Sequence, residues 1–269
     1  MVLLVILLLL LLLWFILPCG KRKRGDFFGL SKYDYAHRGL HGDGVPENSL
    51  AAFRRAVEQG YGAELDVHLT KDGRLAVMHD ESLQRTAGVL KNLCDCTTEE
   101  LKTYRLENTQ EKVPFLEEVL PLFEGKTPLV IELKPFQKNH AALSAAVCKM
   151  LEDFPQLSFC IESFDPRVLL WLKKNRPDIV RGQLSENFLR DRNALHLPVA
   201  FLLTNLFTNC LTRPHFYAYR FQDRKRLSLM ICKKLWGVQE FSWTLRSVQQ
   251  VKQAKREGAI VIFEHCHPQ

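Results

Sequence analysis

The sequence lacks several patterns that would identify a class of protein at once. Its eight cysteines form no Cys-x-x-Cys pair, and it has no internal repeat and no low-complexity tract. A structural zinc site is therefore not expected, and the scattered cysteines favour free thiols in a reducing compartment. With 269 residues, 46% hydrophobic and 25% charged, the composition is that of an ordinary globular protein, for which we expect one domain.

The formal net charge is +7, but the basic residues are not in excess along the whole chain. Removing the four consecutive basic residues 21–24 lowers this charge from +7 to +3, so most of the excess belongs to one short block. This placement argues against a nucleic-acid partner and indicates contact with the anionic headgroups of a membrane.

One long uninterrupted hydrophobic run is present, over residues 1–17, and the basic block 21–24 follows it. A cleavable signal carries its basic residues before the apolar run, so we predict an uncleaved transmembrane anchor over 1–19. A basic juxtamembrane linker is expected over 20–30. The positive-inside rule then places the remaining domain, 31–269, on the cytoplasmic side of a cell membrane that the chain crosses once.

A second notable stretch, 63–80, reads as two alternating strands joined at Lys71-Asp72-Gly73, with a tight turn centred on Asp72-Gly73. Asp-Gly is a strong signal for a two-residue hairpin turn. Such a turn pairs residues whose numbers add to 145, which places Asp66 opposite His79.

Alternation within the first arm of this hairpin puts Glu64, Asp66 and His68 on one face. Carboxylates and imidazoles are costly to bury unless they bind something, so we expect a bound cation and an acid–base role there. An exposed hairpin face with ordinary surface charge is the alternative. His68 lies nearer the turn and is interpreted as a structural or rim residue.

Strand and helix signals alternate over about 240 residues, which predicts an α/β protein built as a (β/α)8 TIM barrel with its chemistry at the carboxyl ends of the strands. There are nine strand candidates, so one must lie outside an eight-stranded barrel or be wrong. Residues 81–127 lack a strong strand signal and are expected to form a small helical insertion that contains a capping box at 97–100. The apolar stretch 197–211 is interpreted as a helix packed on the barrel, with a membrane-touching loop as the alternative.

The predicted strand ends carry a ring of polar side chains. Three carboxylates form an all-oxygen site suited to Mg²⁺ or Ca²⁺, two histidines can act as acid and base near neutral pH, and an arginine and a lysine can hold a phosphate. In chain order these residues are His37, Arg38, Glu64, Asp66, His79, Glu132 and Lys134.

The order and spacing of these motifs resemble the glycerophosphodiester phosphodiesterase family, over residues 33–134 throughout and more loosely to the end. Each motif alone is weak, and the ordered set is specific. The motifs are His37-Arg38-Gly39, Pro46-Glu47-Asn48-Ser49, Glu64-Leu65-Asp66-Val67, Thr70-Lys71-Asp72-Gly73, Val77-Met78-His79-Asp80 and Ile131-Glu132-Leu133-Lys134.

The resemblance implies a TIM barrel with an insertion after the hairpin, dependence on a divalent cation, and release of glycerol 3-phosphate from a glycerophosphodiester, in a membrane-anchored member of bacterial type. It also assigns roles. The cation ligands would be Glu64, Asp66 and Glu132, the acid–base pair His37 and His79, and the phosphate contacts Arg38 and Lys134.

The chain departs from the family pattern at two late positions: Leu245 follows Trp243-Thr244 where relatives tend to have Asn, and Glu264 stands where Asp is common. Both departures concern substrate contacts at the mouth of the site. The sequence 265–267, His-Cys-His, suggests either a second metal site or a frayed tail.

Two other functions stay open at this point. A membrane anchor makes lysophospholipids plausible substrates of a lysophospholipase D-type reaction, and a membrane-tethered phosphate-binding protein without catalysis is the non-enzymatic alternative. The headgroup, the choice between Mg²⁺ and Ca²⁺, the division of acid and base between His37 and His79, and the oligomeric state are not determined by the sequence.

Overall fold

The computed structural model describes residues 2–23, 25–191 and 195–268. Eight parallel strands in them close into a barrel, because the first strand pairs with both the second and the last. The strands are β1 Tyr35–Ala36, β2 Gly62–Leu69, β3 Leu75–Val77, β4 Leu129–Leu133, β5 Phe159–Ser163, β6 Arg181–Ser185, β7 Phe216–Arg220, β8 Gln239–Leu245 and β9 Ile260–Phe263.

Helices connect the strands on the outside of the barrel. They are α1 Val2–Ile16, α2 Leu50–Glu58, α3 Gln84–Ala87, α4 Thr98–Leu101, α5 Leu116–Phe123, α6 His140–Leu151, α7 Pro166–Asn175, α8 Leu197–Thr204, α9 Asn209–Thr212, α10 Leu227–Met230 and α11 Val248–Arg256. Short 3₁₀ turns lie at Leu30–Lys32, Leu93–Asp95 and Phe221–Asp223, and a π-helical turn at Ile231–Leu235.

Side-chain alternation along the strands separates two buried layers. In β2, Ala63, Leu65 and Val67 belong to the large apolar core between barrel and helices, so the residues between them, Glu64 and Asp66, face the barrel interior. The strands are therefore apolar on their outer face, and their inner face becomes polar towards the carboxyl end.

The amino-terminal end of the barrel is closed by aromatic side chains. Phe27 is 1% exposed and packs edge-on against Phe216 and Phe241. The chain before it is tied to the same end, since the backbone nitrogens of Lys21 and Lys23 donate to the carbonyls of Pro214 and Gly237 at 2.8 Å. The predicted juxtamembrane linker 20–30 thus packs on the barrel in its described residues.

The N-terminal apolar helix α1 spans 15 residues. In the described parts of the chain, no helix combines the length and apolar character needed to cross a membrane. The transmembrane anchor predicted over 1–19 is therefore not confirmed. At its end α1 contacts the body of the protein, where Trp14 packs edge-on against Phe201 and Phe207, and the indole nitrogen of Trp236 donates to the Phe15 carbonyl at 2.7 Å.

The predicted hairpin forms, but its register is one residue off. Val67 pairs with Val77 and Leu69 with Leu75, so the paired numbers add to 144 and Met78 takes the place predicted for His79. The cause is a three-residue loop in place of a two-residue turn: Thr70 receives the backbone N–H of Arg74 on its hydroxyl at 2.8 Å. Strand β3 is antiparallel to β2 and lies outside the barrel, which accounts for the ninth strand candidate.

The segment after the hairpin has its own small apolar core, which includes Met78, Leu83, Leu101 and Phe115. The capping box between Thr97 and Glu100 is confirmed. Helix α5 belongs instead to the main core through its buried face.

The apolar stretch 197–211 folds as helices α8 and α9 on the side of the barrel. Ala200 is fully buried, whereas Leu197, Val199 and Leu202 are each more than 40% exposed. The stretch is thus a barrel-packing helix that also presents an apolar surface.

Candidate active site

Register brings three carboxylates of the inner barrel face together. Asp66 pairs with Glu132 across β2 and β4, and Glu64 lies two residues earlier on the same face of β2. One ligand oxygen from each of the three carboxylates lies within 4.8 Å of the others, and all three side chains are buried. These are the three residues predicted as cation ligands.

A fourth carboxylate, Glu162, was not predicted. It pairs with Glu132 across β4 and β5, is 1% exposed, and its Oε2 has no hydrogen-bond partner among the described residues. Its identity was visible in the sequence, but its place beside Glu132 depends on strand order and register. Glu162 extends the acidic row across three adjacent strands.

Burial and mutual repulsion dominate the electrostatics of this row. Burial, together with repulsion from Asp66 and Glu132, holds the pKa of Glu64 well above its usual range. Burial likewise raises the pKa of Glu132 to about 7, against the opposing charge of Lys134. The pKa of Glu162 is raised well above its usual range by burial and by repulsion from Glu132.

Asp66 behaves in the opposite way. Burial alone would raise its pKa, but the charges of Lys134 and Arg38 and the hydrogen bond from Asn48 hold the pKa of Asp66 well below its usual value. Lys134 Nζ lies 3.2 Å from Asp66 Oδ1 and 3.3 Å from Glu132 Oε1, and Asn48 donates to Asp66 Oδ2 at 2.9 Å. Asn48 belongs to the motif Pro46-Glu47-Asn48-Ser49, for which no contact within the site was predicted.

The donor set fits a hard divalent cation. Three buried carboxylates supply oxygen ligands, and the raised pKa values of Glu64 and Glu132 show that the lysine and arginine nearby do not offset the combined effect of burial and repulsion. A divalent cation held by Glu64, Asp66 and Glu132 would relieve it.

His37 follows β1 directly and lies beside Glu264, which follows β9. The His37 backbone nitrogen donates to the Phe263 carbonyl at 2.8 Å, and His37 Nδ1 lies 2.6 Å from Glu264 Oε2. The His37 hydrogen bond and Arg246 outweigh burial and hold the pKa of Glu264 far below its usual value. The ionised carboxylate accepts a hydrogen bond from the Nδ1–H of His37, which leaves Nε2 with a lone pair 3.9 Å from Glu64.

His79 has the same arrangement on the other side of the site. Its Nδ1 lies 2.6 Å from Asp80 Oδ1, and the pKa of Asp80 is lowered to about 2 because hydrogen bonds from Arg85 and His79 outweigh burial. Burial lowers the pKa of His37 and also that of His79. Both imidazoles therefore hold Nδ1 against a carboxylate and are neutral bases in the free site.

Arg38 is held by a left-handed backbone and by acids. It has φ of 56°, its backbone nitrogen donates to Glu64 Oε2 at 3.1 Å, and its Nη1 donates to Glu47 at 2.9 Å. Glu47 also binds Arg85, which binds Asp80. Gly39 then allows close packing, because a Cβ there would lie 2.8 Å from Ala52 Cβ.

These groups line one cavity of about 370 Å³ at the carboxyl ends of the strands. Six of the seven predicted site residues line it, and Asp66 lies in contact with Lys134 at its wall. Further lining residues are Glu162, Phe164, Leu184, Glu186, Trp243, Thr244, Arg246 and Ile262.

His68 is 4% exposed, and its Nε2 lies 3.3 Å from the His79 carbonyl. Burial lowers the pKa of His68 to about 4, which agrees with a structural role.

Binding of Mg²⁺ or Ca²⁺ should strengthen as pH rises. Below about pH 7 the protein holds a proton on Glu132, and the raised pKa of Glu64 favours a proton there as well, so a cation must displace these protons. For each displaced proton the apparent affinity should rise about tenfold per pH unit below the raised pKa and then level off. Titration calorimetry from about pH 5.5 to 7.5 measures this, with Glu132→Gln as the variant whose slope is shallower. An affinity independent of pH would contradict the raised pKa values.

Comparison with known proteins agrees with this geometry. Residues 37–264 match the glycerophosphoryl diester phosphodiesterase family. A glycerophosphodiester phosphodiesterase from Bacillus altitudinis is 36% identical over 180 residues, which are 63% of this chain and 71% of that protein.

Two solved structures share the fold. A glycerophosphodiester phosphodiesterase from Thermotoga maritima has a TM-score of 0.66 at 26% identity and covers 86% of this chain and 94% of its own. A phosphodiesterase from Oleispira antarctica, in complex with the product sn-glycerol-3-phosphate, has a TM-score of 0.70 at 24% identity. The match covers 86% of this chain and 92% of that protein. The chain is thus an enzyme of the glycerophosphodiester phosphodiesterase family.

Proposed function

We propose that the chain hydrolyses glycerophosphodiesters to glycerol 3-phosphate and an alcohol, with a divalent cation and with His37 and His79 as the acid–base pair. The observation that carries the proposal is that both histidines face one cavity beside the three carboxylates, each with Nδ1 against an ionised carboxylate. Release of glycerol 3-phosphate is supported by the product bound to the Oleispira antarctica relative.

Glu64, Asp66 and Glu132 would hold the cation, which would neutralise phosphate charge and polarise the phosphodiester. Either Mg²⁺ or Ca²⁺ suits these oxygen ligands. Arg38 and Lys134 supply fixed positive charge at the same cavity, and the buried Nε of Arg38 has no hydrogen-bond partner among the described residues. A phosphate oxygen would satisfy that donor.

His37 takes a proton at Nε2 from the attacking group, which is water or the neighbouring glycerol hydroxyl. Glu264 stabilises the imidazolium that results, because its carboxylate already binds Nδ1. His79, held by Asp80, gives a proton to the departing alcohol. The two roles are exchangeable in this geometry, since each ring is oriented by its own carboxylate.

Lysophospholipids are a second candidate substrate, favoured by one feature. An apolar groove of about 590 Å³ shares Phe164 and Glu186 with the active-site cavity. Its wall includes Phe188, Val199 and Leu202, so an acyl chain has an apolar path beside the phosphodiester site.

We also propose that this is a membrane-attached, bacterial-type member whose barrel lies on the cytoplasmic side. Support comes from α1, whose side chains are largely exposed apolar groups, and from the exposed basic residues Lys21, Arg22 and Lys23 beside it. Exposed apolar residues of α8 lie next to Trp14 and extend this surface. Insertion of these apolar side chains into a membrane, together with attraction of the basic residues to anionic headgroups, is sufficient for stable attachment of the protein.

Replacing either histidine tests the catalytic proposal. His37→Ala and His79→Ala should each lower kcat for glycerophosphoethanolamine by on the order of 10² to 10⁴, with cation binding retained. His215, a buried histidine next to Arg181 at the opposite end of the barrel, provides the control variant His215→Ala. A chelator should abolish wild-type turnover, and near-full activity of His79→Ala with its cation bound would exclude its proposed role.

A substitution that introduces a charge into the apolar groove distinguishes lysophospholipid substrates from glycerophosphodiesters. Leu202→Asp should reduce turnover of lysophosphatidylethanolamine and leave that of glycerophosphoethanolamine unchanged, because only the lipid needs the groove. Leu211→Asp, at another exposed apolar position, in α9 and outside the groove, is the control. If the lipid is not hydrolysed by the wild type, or if both variants act alike, the lysophospholipid candidate is rejected.

Flotation with vesicles tests membrane attachment. The full chain should float with anionic vesicles, and Lys21→Ser with Lys23→Ser should weaken binding by on the order of 1 kcal/mol for each lysine removed. Lys71→Ser with Lys126→Ser, at exposed positions elsewhere, should bind like the wild type. A chain that stays in the aqueous fraction would refute attachment, and digestion of the barrel by protease outside intact cells would refute the cytoplasmic side.

A further inference from the structure

A second group of metal-ligating side chains lies on the far side of His37 from the acidic row. His37, His41 and Glu264 each offer one ligand atom within 4.8 Å of the others. His37 Nδ1 lies 2.6 Å and His41 Nε2 3.9 Å from the same oxygen, Glu264 Oε2. These three residues are called the outer cluster below.

The outer cluster contains a polar atom that is buried without a partner. Over the residues that the structure describes, His41 Nε2 makes no hydrogen bond, and the His41 side chain is 12% exposed. His265 lies beside it with ring centroids 5.0 Å apart, and its own Nε2 is 3.8 Å from Glu264 Oε1. The His265 side chain is 56% exposed, so it connects the outer cluster to solvent and adds an imidazole beside the Glu264 carboxylate, outside the group of three ligand atoms.

The donor chemistry distinguishes the outer cluster from the acidic row. Two or three imidazole nitrogens with one carboxylate suit Zn²⁺ and similar transition-metal ions, whereas Mg²⁺ and Ca²⁺ favour all-oxygen sites. Arg246 binds the other carboxylate oxygen, Oε1, at 2.5 Å and leaves Oε2 to the cluster. The two sites would therefore select different ions.

We propose that the outer cluster binds a transition-metal ion such as Zn²⁺ and that this ion inhibits the phosphodiesterase by withdrawing His37 from acid–base catalysis. The inhibitory part rests on the proposed role of His37, and binding to the cluster does not.

The inhibition follows from the tautomers of imidazole. A neutral imidazole carries one N–H, and Glu264 places it on Nδ1, which leaves the Nε2 lone pair facing the cavity. Coordination through Nδ1 uses the lone pair of that nitrogen, so the proton moves from Nδ1 to Nε2 through solvent, with no net release. Nε2 then has no lone pair to accept a proton.

The exchanged assignment of roles gives the same result. If His37 is the acid, it must act as an imidazolium, which carries a proton on both nitrogens. With a metal ion on Nδ1 this form does not arise, and the remaining neutral N–H is a much weaker acid. Metal binding therefore stops proton transfer at His37 in either direction.

The test is zinc titration of the full chain, with Mg²⁺ or Ca²⁺ saturating. Zn²⁺ should abolish release of glycerol 3-phosphate, and more Mg²⁺ or Ca²⁺ should not restore it. His41→Gln and His265→Gln should keep the basal rate and need at least about tenfold more Zn²⁺ for the same inhibition. His196→Gln, at an exposed histidine before α8, is the matched control and should respond like the wild type.

Direct binding separates this proposal from the proposed function. Co²⁺ absorption or zinc calorimetry should show one site that weakens in His41→Gln, even if the wild type hydrolyses no phosphodiester. Inhibition that is unchanged in His41→Gln, or relieved by Mg²⁺ or Ca²⁺, would place the zinc ion at the acidic row and overturn the proposal. Binding in the wild type without inhibition of an active enzyme would overturn the inhibitory part.

Discussion

Repulsion among four buried carboxylates is the constraint on which the active end of the barrel depends. Parallel register aligns Asp66, Glu132 and Glu162 across adjacent strands, and Glu64 lies on the same inner face. Lys134 contacts two of the four, and Arg38 approaches Asp66 at 3.7 Å. The pKa values of Glu64 and Glu162 stay raised in spite of these two cationic side chains. Additional positive charge at the site would therefore stabilise the ionised carboxylates.

Much of the site was predictable because the barrel repeats one simple rule. Residues on the inner face at a strand's carboxyl end meet in space, so alternation along the strand grouped Glu64 with Asp66, and Glu132 joined them as an acid at the end of a later strand. Glu162 was missed, and Glu264 was linked only to substrate contacts, because their importance comes from neighbours on other strands: Glu162 lies next to Glu132, and Glu264 next to His37. Strand order sets these pairs, and no local pattern reveals it.

The error in the hairpin has a different origin. Asp72-Gly73 suits a two-residue turn, but the Thr70 hydroxyl binds both the Arg74 N–H and Asp72 and closes a three-residue loop. Such side-chain bonds compete with the turn signal and shift every pair by one. The composition of residues 20–30 was similarly uninformative, since a basic segment that reads as a linker carries Phe27 into the base of the barrel.

Strand β1 consists of two residues, Tyr35 and Ala36, and these alone pair with both β2 and β9. The next residue is His37, whose backbone nitrogen continues the pairing by donating to Phe263. The pairing that closes the barrel therefore runs directly into His37, which lines the active-site cavity. Separation of β1 from β9 would part His37 from Glu264, so under the proposed role of His37 the rate of turnover would report whether the barrel is closed.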